Sequence, residues 1–135
     1  MTTAAAGLDE VRIAIAGGGL IGSAWAALFT HHGAHVTLWD PSADARELAA
    51  RRYRTAAEQL AAIAPPSERG RFAIVDRLDD ALDDVVLVQE NAPESVPVKQ
   101  QLYAEIERVV ADTTIIASST SALTWSDLVP GMRVP

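Results

Sequence analysis

Apolar positions along the chain fall into short continuous runs that alternate with longer segments spaced at three and four, the pattern of buried strands exchanging with amphipathic helices. Val11 to Ala16 is nearly all apolar, as a strand covered on both faces must be. The run breaks into Gly17-Gly18-Gly19. From about Leu20 to His32, Ile21, Ala24, Trp25, Leu28 and Phe29 recur at helical spacing, until Gly33 supplies a left-handed stop. His35 to Trp39 predicts a second strand. Pro41 blocks its continuation, and Ser42 caps a helix that reads to about Ala64, where Pro65-Pro66 ends it. Its buried stripe is Ala49, Tyr53, Ala56, Leu60 and Ile63, with Leu48 at the margin. Phe72 to Val75 predicts a short strand, Asp76 to Asp84 a short acidic helix or turn, and Val85 to Gln89 a continuous apolar strand. A helix begins near Ser95, tolerates Pro97 in its first turn and turns Leu102, Tyr103, Ile106, Val109 and Val110 inward. Thr114 to Ala117 is the last strand predicted. Strands alternating with helices imply an α/β fold with a parallel sheet over residues 11–135, preceded by a frayed lead-in at 1–10.

The break after the first strand carries the first chemistry. Gly17, Gly19 and Gly22 stand at G-x-G-x-x-G spacing between strand and helix. The first permits a sharp turn, the second lets a pyrophosphate approach the backbone, and the third lets helix and strand pack closely. Asp40 ends the second strand about twenty residues further on, where a carboxylate accepts hydrogen bonds from an adenosine ribose. It also repels a 2′-phosphate. The expectation is therefore a Rossmann-type doubly wound sheet that takes NAD in preference to NADP.

Composition narrows the partners. A net charge of −7, with 11 scattered Lys and Arg, argues against nucleic acid. No cysteine is present, so there is no thiolate site or disulfide framework. No apolar run approaches the roughly 20 residues of a membrane span, and the first ten residues lack the features of a signal peptide. A soluble, cytoplasmic protein is the default expectation.

Other polar features have bland and sharp readings. His31, His32 and His35 cluster at a helix end; adjacent histidines diverge on a helix, and no carboxylate or thiol stands at a matching spacing, so no metal site is assigned. Arg46, Arg51, Arg52 and Arg54, with Glu47 and Glu58, form either a solvated face or an electropositive shelf for an anionic group. The loop from Glu90 to Glu94 and the run Ser118-Ser119-Thr120-Ser121 both follow strands, which puts them on the ligand side of an open α/β sheet. Glu94 and Lys99 are either a surface pair or part of that site, and Ser121 is either a cap for a helix over Ala122 to Leu128 or a site residue. Glu90 reads as structural or orienting, and Trp25 and Trp125 as packing residues.

The glycine loop, Asp40, Val88-Gln89-Glu90-Asn91-Ala92-Pro93-Glu94 with Lys99, and Ala117-Ser118-Ser119-Thr120-Ser121 together resemble the NAD-binding domain of the L-3-hydroxyacyl-CoA dehydrogenase family. The likeness covers most of the chain. It is nearest to the branch of lambda-crystallin (an L-gulonate dehydrogenase) and L-carnitine dehydrogenase, with Gln before the first Glu and Ser-Ser-Thr-Ser where the acyl-CoA branch usually has Ser-Asn-Thr-Ser. The resemblance implies that Leu20 and Ile21 contact the cofactor in the glycine turn, that Asp40 holds the adenosine ribose, that Glu94 and Lys99 border the nicotinamide, and that Ser121 meets the substrate oxygen. It implies NAD as cofactor and a small hydroxy acid or acyl-CoA as substrate. In the family a further strand carries a His-Pro-(Phe/Val)-Asn-Pro run with the catalytic histidine, followed by a helical dimerisation domain; neither is found within these 135 residues. The strand Thr114 to Ala117 is then expected to present an open edge that invites a homo-oligomer or a complementary carboxyl-terminal chain, unless Met132 to Pro135 folds back over it. The rival expectation is a module that binds NAD(H) without turnover.

Overall fold

Five short strands pair side by side, all parallel, and their order fixes where a ligand can enter. The computed structural model describes residues 7–135. In chain order they are β1 (Arg12–Ala16), α1 (Leu20–His31), β2 (His35–Trp39), α2 (Ala43–Ile63), β3 (Arg71–Val75), α3 (Leu78–Ala81), β4 (Leu87–Glu90), α4 (Val96–Glu107), β5 (Ile115–Ser118) and α5 (Trp125–Leu128). The sheet runs β3-β2-β1-β4-β5, so the chain reverses its direction of travel across the sheet between β1 and β4. Register makes the carboxyl ends level: Ala16 lies between Trp39 and Glu90, and Glu90 lies beside Ser118. Everything that follows β1, β2, β4 and β5 therefore emerges along one rim.

Alternation along β1 divides the core in two. Ile13 and Ile15 join Val36 and Leu38 beneath α1 and α2, with Ala26 and Ala49 at the closest approach. Ala14 and Ala16 face the other way, onto Val88, Leu82, Leu102, Tyr103 and Ile106. A sheet covered on both faces is the doubly wound arrangement the sequence predicts.

Several local expectations change. The buried face of α1 is Gly22, Ser23, Ala26 and Ala27 rather than the larger residues, while Ile21 is 54% exposed and Ala24 is also exposed. Small side chains let the helix settle close to the sheet, and Trp25 stacks on Phe29 at its flank. Ser42 caps α2 as expected, through its hydroxyl and the Ala45 N–H. Ile63, however, is exposed. The 21 residues of α2 make a helix of about 31 Å, whereas five-residue strands extend only about 17 Å, so its last turn overhangs the sheet. Val109 lies beyond the end of α4 and is exposed as well. β4 and β5 each end one residue later than predicted, which brings Glu90 and Ser118 into the sheet. Residues 8–10 are tethered rather than frayed: Leu8 N–H donates to the His32 carbonyl at 2.8 Å and Asp9 pairs with Arg69 at 3.5 Å. Residues 1–6 of the expected lead-in lie outside the described residues.

Trp125 is not a packing residue but stands 66% exposed. Together with Ile115, 64% exposed on the outer edge of β5, it borders a groove of about 490 Å³ that Met132 to Pro135 also line. That terminal segment does fold back, but onto α4: the N–H groups of Arg133 and Val134 donate to Glu107 at 2.7 and 2.9 Å. Among the described residues β5 pairs only with β4.

Candidate functional site

The rim at the switch between β1 and β4 is built from missing side chains. Gly17 has φ +110°, and a Cβ there would stand 2.7 Å from the Asn91 carbonyl oxygen. At Gly22 a Cβ would stand 1.9 Å from the Gly17 carbonyl oxygen. The first and third glycines are therefore required by the protein itself. Gly19 differs: a Cβ there would meet nothing within 4 Å among the described residues. Its bareness answers to no neighbour among them, and it opens onto the start of α1, whose cap is Gly19 with no side-chain partner and whose first turn holds no acidic residue. Uncapped N–H groups and the helix dipole at that point suit a phosphate. Leu20 and Ile21 stand 66% and 54% exposed beside it, apolar surface that a bound dinucleotide would cover.

Asp40 closes this half. Its Oδ2 accepts from Gly18 N–H at 2.8 Å and its Oδ1 from Ser42 N–H at 2.9 Å. An ionised carboxylate has about four acceptor positions, so the two bonds orient it and leave both oxygens able to accept from a diol. Gly18, not singled out by the spacing, is the link: it supplies that N–H, and a Cβ on it would crowd Leu38 and Ala49 at 3.2 Å. Arg46, from the basic face of α2, donates to the Asp40 carbonyl at 2.8 Å, and Arg51 pairs with Glu47. His31, His32 and His35 lie away from this rim, because His35 opens β2 and the other two end α1. The rings of His31 and His32 do not diverge but meet edge to face at 5.3 Å, since His32 has already left the helix.

Across the switch point, β4 and β5 deliver polar side chains instead. Glu94 is exposed; its Oε1 accepts from the Thr120 hydroxyl at 2.6 Å, and its Oε2 from the Ser121 N–H at 3.0 Å and the Ser121 hydroxyl at 3.4 Å. The Thr120 hydroxyl first, then the Ser121 N–H, hold the Glu94 carboxyl below its ordinary value. Ser121 is not a helix cap: Thr124 caps α5, in a reciprocal pair with Asp127. Lys99 is no surface residue either. It is 1% exposed and donates to Glu90 at 2.6 Å and the Ala92 carbonyl at 3.0 Å, while its ammonium stands 3.9 Å from Glu94 Oε1. Gln89, Asn91 and Ser119 form a further chain in which Gln89 donates to the Ser119 hydroxyl at 2.9 Å and that hydroxyl donates to Asn91 at 2.6 Å. Asn91 and Ser119 belong to the motifs that carry the resemblance, but their pairing shows only once β4 and β5 lie in register.

Thus Gly17, Gly19, Leu20, Ile21, Gly22 and Asp40 gather on one side of the crevice and Glu94, Lys99 and Ser121 on the other. Most of the chain resembles known proteins. Residues 12–135 match the pattern of the 3-hydroxyacyl-CoA dehydrogenase NAD binding domain. L-carnitine dehydrogenase of Streptomyces griseus is 39% identical over 89% of this chain and 36% of that enzyme. The L-carnitine dehydrogenase of Nocardiopsis dassonvillei is 35% identical over 94% of the chain and 40% of the enzyme. Among solved structures, an NAD+-dependent dismutase, 5-formyl-3-hydroxy-2-methylpyridine 4-carboxylic acid 5-dehydrogenase, superposes with a TM-score of 0.85 at 30% identity, over 93% of this chain and 41% of that one. The fold is shared with Escherichia coli 3-hydroxybutyryl-CoA dehydrogenase at a TM-score of 0.80 and 24% identity, over 94% of this chain and 28% of that one. The chain spans about two-fifths of the length of the curated relatives it matches. No helix among the described residues is long and apolar enough to cross a membrane. With its first and third glycines packed against backbone, its second left open, and residues 12–135 matched throughout, the chain belongs to the 3-hydroxyacyl-CoA dehydrogenase NAD-binding domain family.

Proposed function

We propose that this chain is the dinucleotide-binding portion of an NAD-dependent dehydrogenase that oxidises the 3-hydroxyl of a small hydroxy acid or a hydroxyacyl thioester. The observation that carries the reading is the open flank of Gly19 at an uncapped helix start, between a carboxylate with spare acceptor capacity and the Glu94–Ser121 cluster. In it the pyrophosphate lies over Gly19, Leu20 and Ile21 cover the dinucleotide, Asp40 accepts from the adenosine ribose, and Glu94 and Lys99 border the nicotinamide. When bound, NAD supplies the hydride acceptor. Ser121 donates a hydrogen bond to the substrate oxygen, and the alcohol proton needs a base from outside these residues, since the chain's three histidines lie away from the rim. The names of the relatives favour L-carnitine or a 3-hydroxyacyl-CoA as substrate.

Calorimetric titration with NADH tests the cofactor half: saturable binding that Gly19→Ala abolishes without lowering Tm is expected, and unchanged affinity in that variant would sink the reading. The catalytic half is tested by turnover of L-carnitine, L-gulonate and 3-hydroxybutyryl-CoA. The chain alone should be inactive, since loss of a general base costs about two to four powers of ten, and addition of the carboxyl-terminal portion of a relative should restore activity. Saturable NADH binding with no turnover in any such complex would instead favour the non-catalytic module.

The exposed Ile115 and Trp125 along the free edge of β5 support a partner there, either a complementary carboxyl-terminal polypeptide or a second copy of the chain. Size-exclusion chromatography with light scattering should show a dimer or a complex in which the Ile116 amide exchanges slowly; the Ile115 amide already donates to the Val86 carbonyl at 3.0 Å. A monomer at micromolar concentration with the Ile116 amide already protected would remove this part of the proposal.

A further inference from the structure

Glu90 is a carboxylate with no solvent exposure, placed at the last position of β4, directly beneath the rim. Its Oε1 accepts from the hydroxyls of Tyr103 and Ser118, the latter at 2.7 Å. Its Oε2 accepts from the Ala92 N–H at 2.7 Å and from the Lys99 ammonium at 2.6 Å. Burial, then the hydrogen bond to Glu90, push the Tyr103 phenol well above its ordinary value, so it remains a donor. Four donors from the β4–α4 loop, α4 and β5 thus converge on one side chain. A buried ion pair is weak evidence for stability, because well-packed apolar residues of similar volume often serve as well or better. Stability alone therefore gives little reason for this arrangement, whereas its connections to the rim give one. Ser118, held by Glu90, also accepts from the Thr120 N–H at 3.1 Å. Lys99, held by Glu90, places its charge 3.9 Å from Glu94. Glu94 in turn accepts from Thr120 and Ser121. Two routes lead from Glu90 to the same turn, and neither reaches the glycine side through a side chain of this cluster.

We infer that Glu90 is a positioning residue that, through Lys99 and Ser118, holds the Glu94–Thr120–Ser121 cluster in the geometry required by the nicotinamide half of the cofactor and leaves the adenosine half unaffected. The inference rests on the proposed placement of NAD. Glu90→Gln preserves the size of the side chain but removes the negative charge opposite the buried Lys99 ammonium, and its single acceptor oxygen cannot serve all four donors.

The test compares NADH with ADP-ribose, which lacks the nicotinamide. In the 135-residue chain, calorimetry should show NADH binding more tightly than ADP-ribose, and the bound reduced nicotinamide should show altered fluorescence. Glu90→Gln should weaken NADH by about tenfold or more, the scale of one charge-assisted hydrogen bond, abolish the fluorescence change and leave ADP-ribose within about twofold. Ser118→Ala, which removes one donor and keeps the ion pair, should give a smaller loss with the same selectivity, and serves where Glu90→Gln does not fold. A parallel loss of both ligands would mean a purely structural role and overturn the inference, as would NADH binding and fluorescence unchanged in both variants. If the unmodified chain binds ADP-ribose but shows no gain for NADH, the nicotinamide placement itself is wrong and the inference goes with it.

Discussion

The two sides of the crevice are built by opposite means. On the β1–β2 side the working parts are backbone N–H groups and bare Cα atoms, and a single carboxylate, Asp40, is oriented by two main-chain donors from Gly18 and Ser42. On the β4–β5 side the working parts are side chains that bond to one another across 26 to 30 positions of sequence: Thr120 to Glu94, Ser118 and Ser119 to Glu90 and Asn91, Gln89 to Ser119. The first side is limited by volume and the second by pairing. An added methyl group should therefore be the sharpest perturbation of one, and a lost charge or proton the sharpest perturbation of the other.

The largest effect is expected where volume is already exhausted. Gly22→Ala would drive a Cβ to within 1.9 Å of the Gly17 carbonyl, a backbone collision expected to cost about 3 kcal/mol or more, at the upper end of overpacking. Thermal unfolding should show a marked fall in Tm together with loss of NADH binding. Gly19→Ala should separate the two, with an unchanged Tm and no measurable NADH binding, because the added methyl meets only the ligand. A Tm loss in Gly19→Ala equal to that in Gly22→Ala would erase the distinction between structural and ligand-facing glycines.

This division also decides what could be read from the chain before its structure. The glycine side is local, so its turn, its helix and Asp40 appear in sequence order at a recognisable spacing, and the strand pattern around them is unambiguous. Glu94 and Lys99 were visible as types, but their division of labour was not: no periodicity tells that Lys99 points inward to Glu90 while Glu94 faces the rim. Asn91 and Ser119 lie within the motifs that carry the resemblance, but their bond to each other was not legible, since it depends on β4 and β5 being neighbours in register. The errors on the helices have a different cause. Ile21, Ile63, Val109 and Trp125 read as inward by apolarity alone, yet Ile21 flanks the open glycine, Ile63 lies past the reach of the sheet, Val109 follows the end of α4 where Val110 packs on the core in its stead, and Trp125 faces the groove beside β5.

A middle-sized effect should follow from Asp40→Ala, which removes the proposed ribose acceptor and leaves the partly buried Gly18 N–H without its partner. Loss of a hydrogen bond to a charged group costs about 1.5–3 kcal/mol, or roughly ten- to a hundredfold in NADH affinity. NADPH, which gains from removal of a nearby negative charge, should lose less, so the preference for NADH narrows. Equal affinity for both cofactors in the unmodified chain would remove Asp40 from the ribose role and weaken the contrast between the two sides.

The smallest effect is expected at Glu94, and it bears on the pairing side alone. The Thr120 hydroxyl and the Ser121 N–H hold this carboxyl below the ordinary value of 4.5. A group lowered on folding contributes fully above its unfolded value and ceases to contribute as pH falls through its folded value. The Glu94–Ser121 contact should therefore be constant from neutral pH to about 5.5 and weaken only on stronger acidification. Asp127 is lowered in the same direction by the Thr124 hydroxyl, so it adds its own acid limb. The two separate by position: the Ser121 amide reports Glu94, and the Asp127 amide, bonded to Thr124, reports the cap of α5. Amide shifts followed by NMR from pH 7 to 3 should show a transition at Ser121 that disappears in Glu94→Gln and persists in Asp127→Asn. Because Glu94 is exposed, its effect on Tm should be slight, whereas NADH affinity should follow the Ser121 transition. An NADH titration indifferent to Glu94→Gln, with the Ser121 transition abolished, would show that the cluster is built as described but lies outside the nicotinamide's reach.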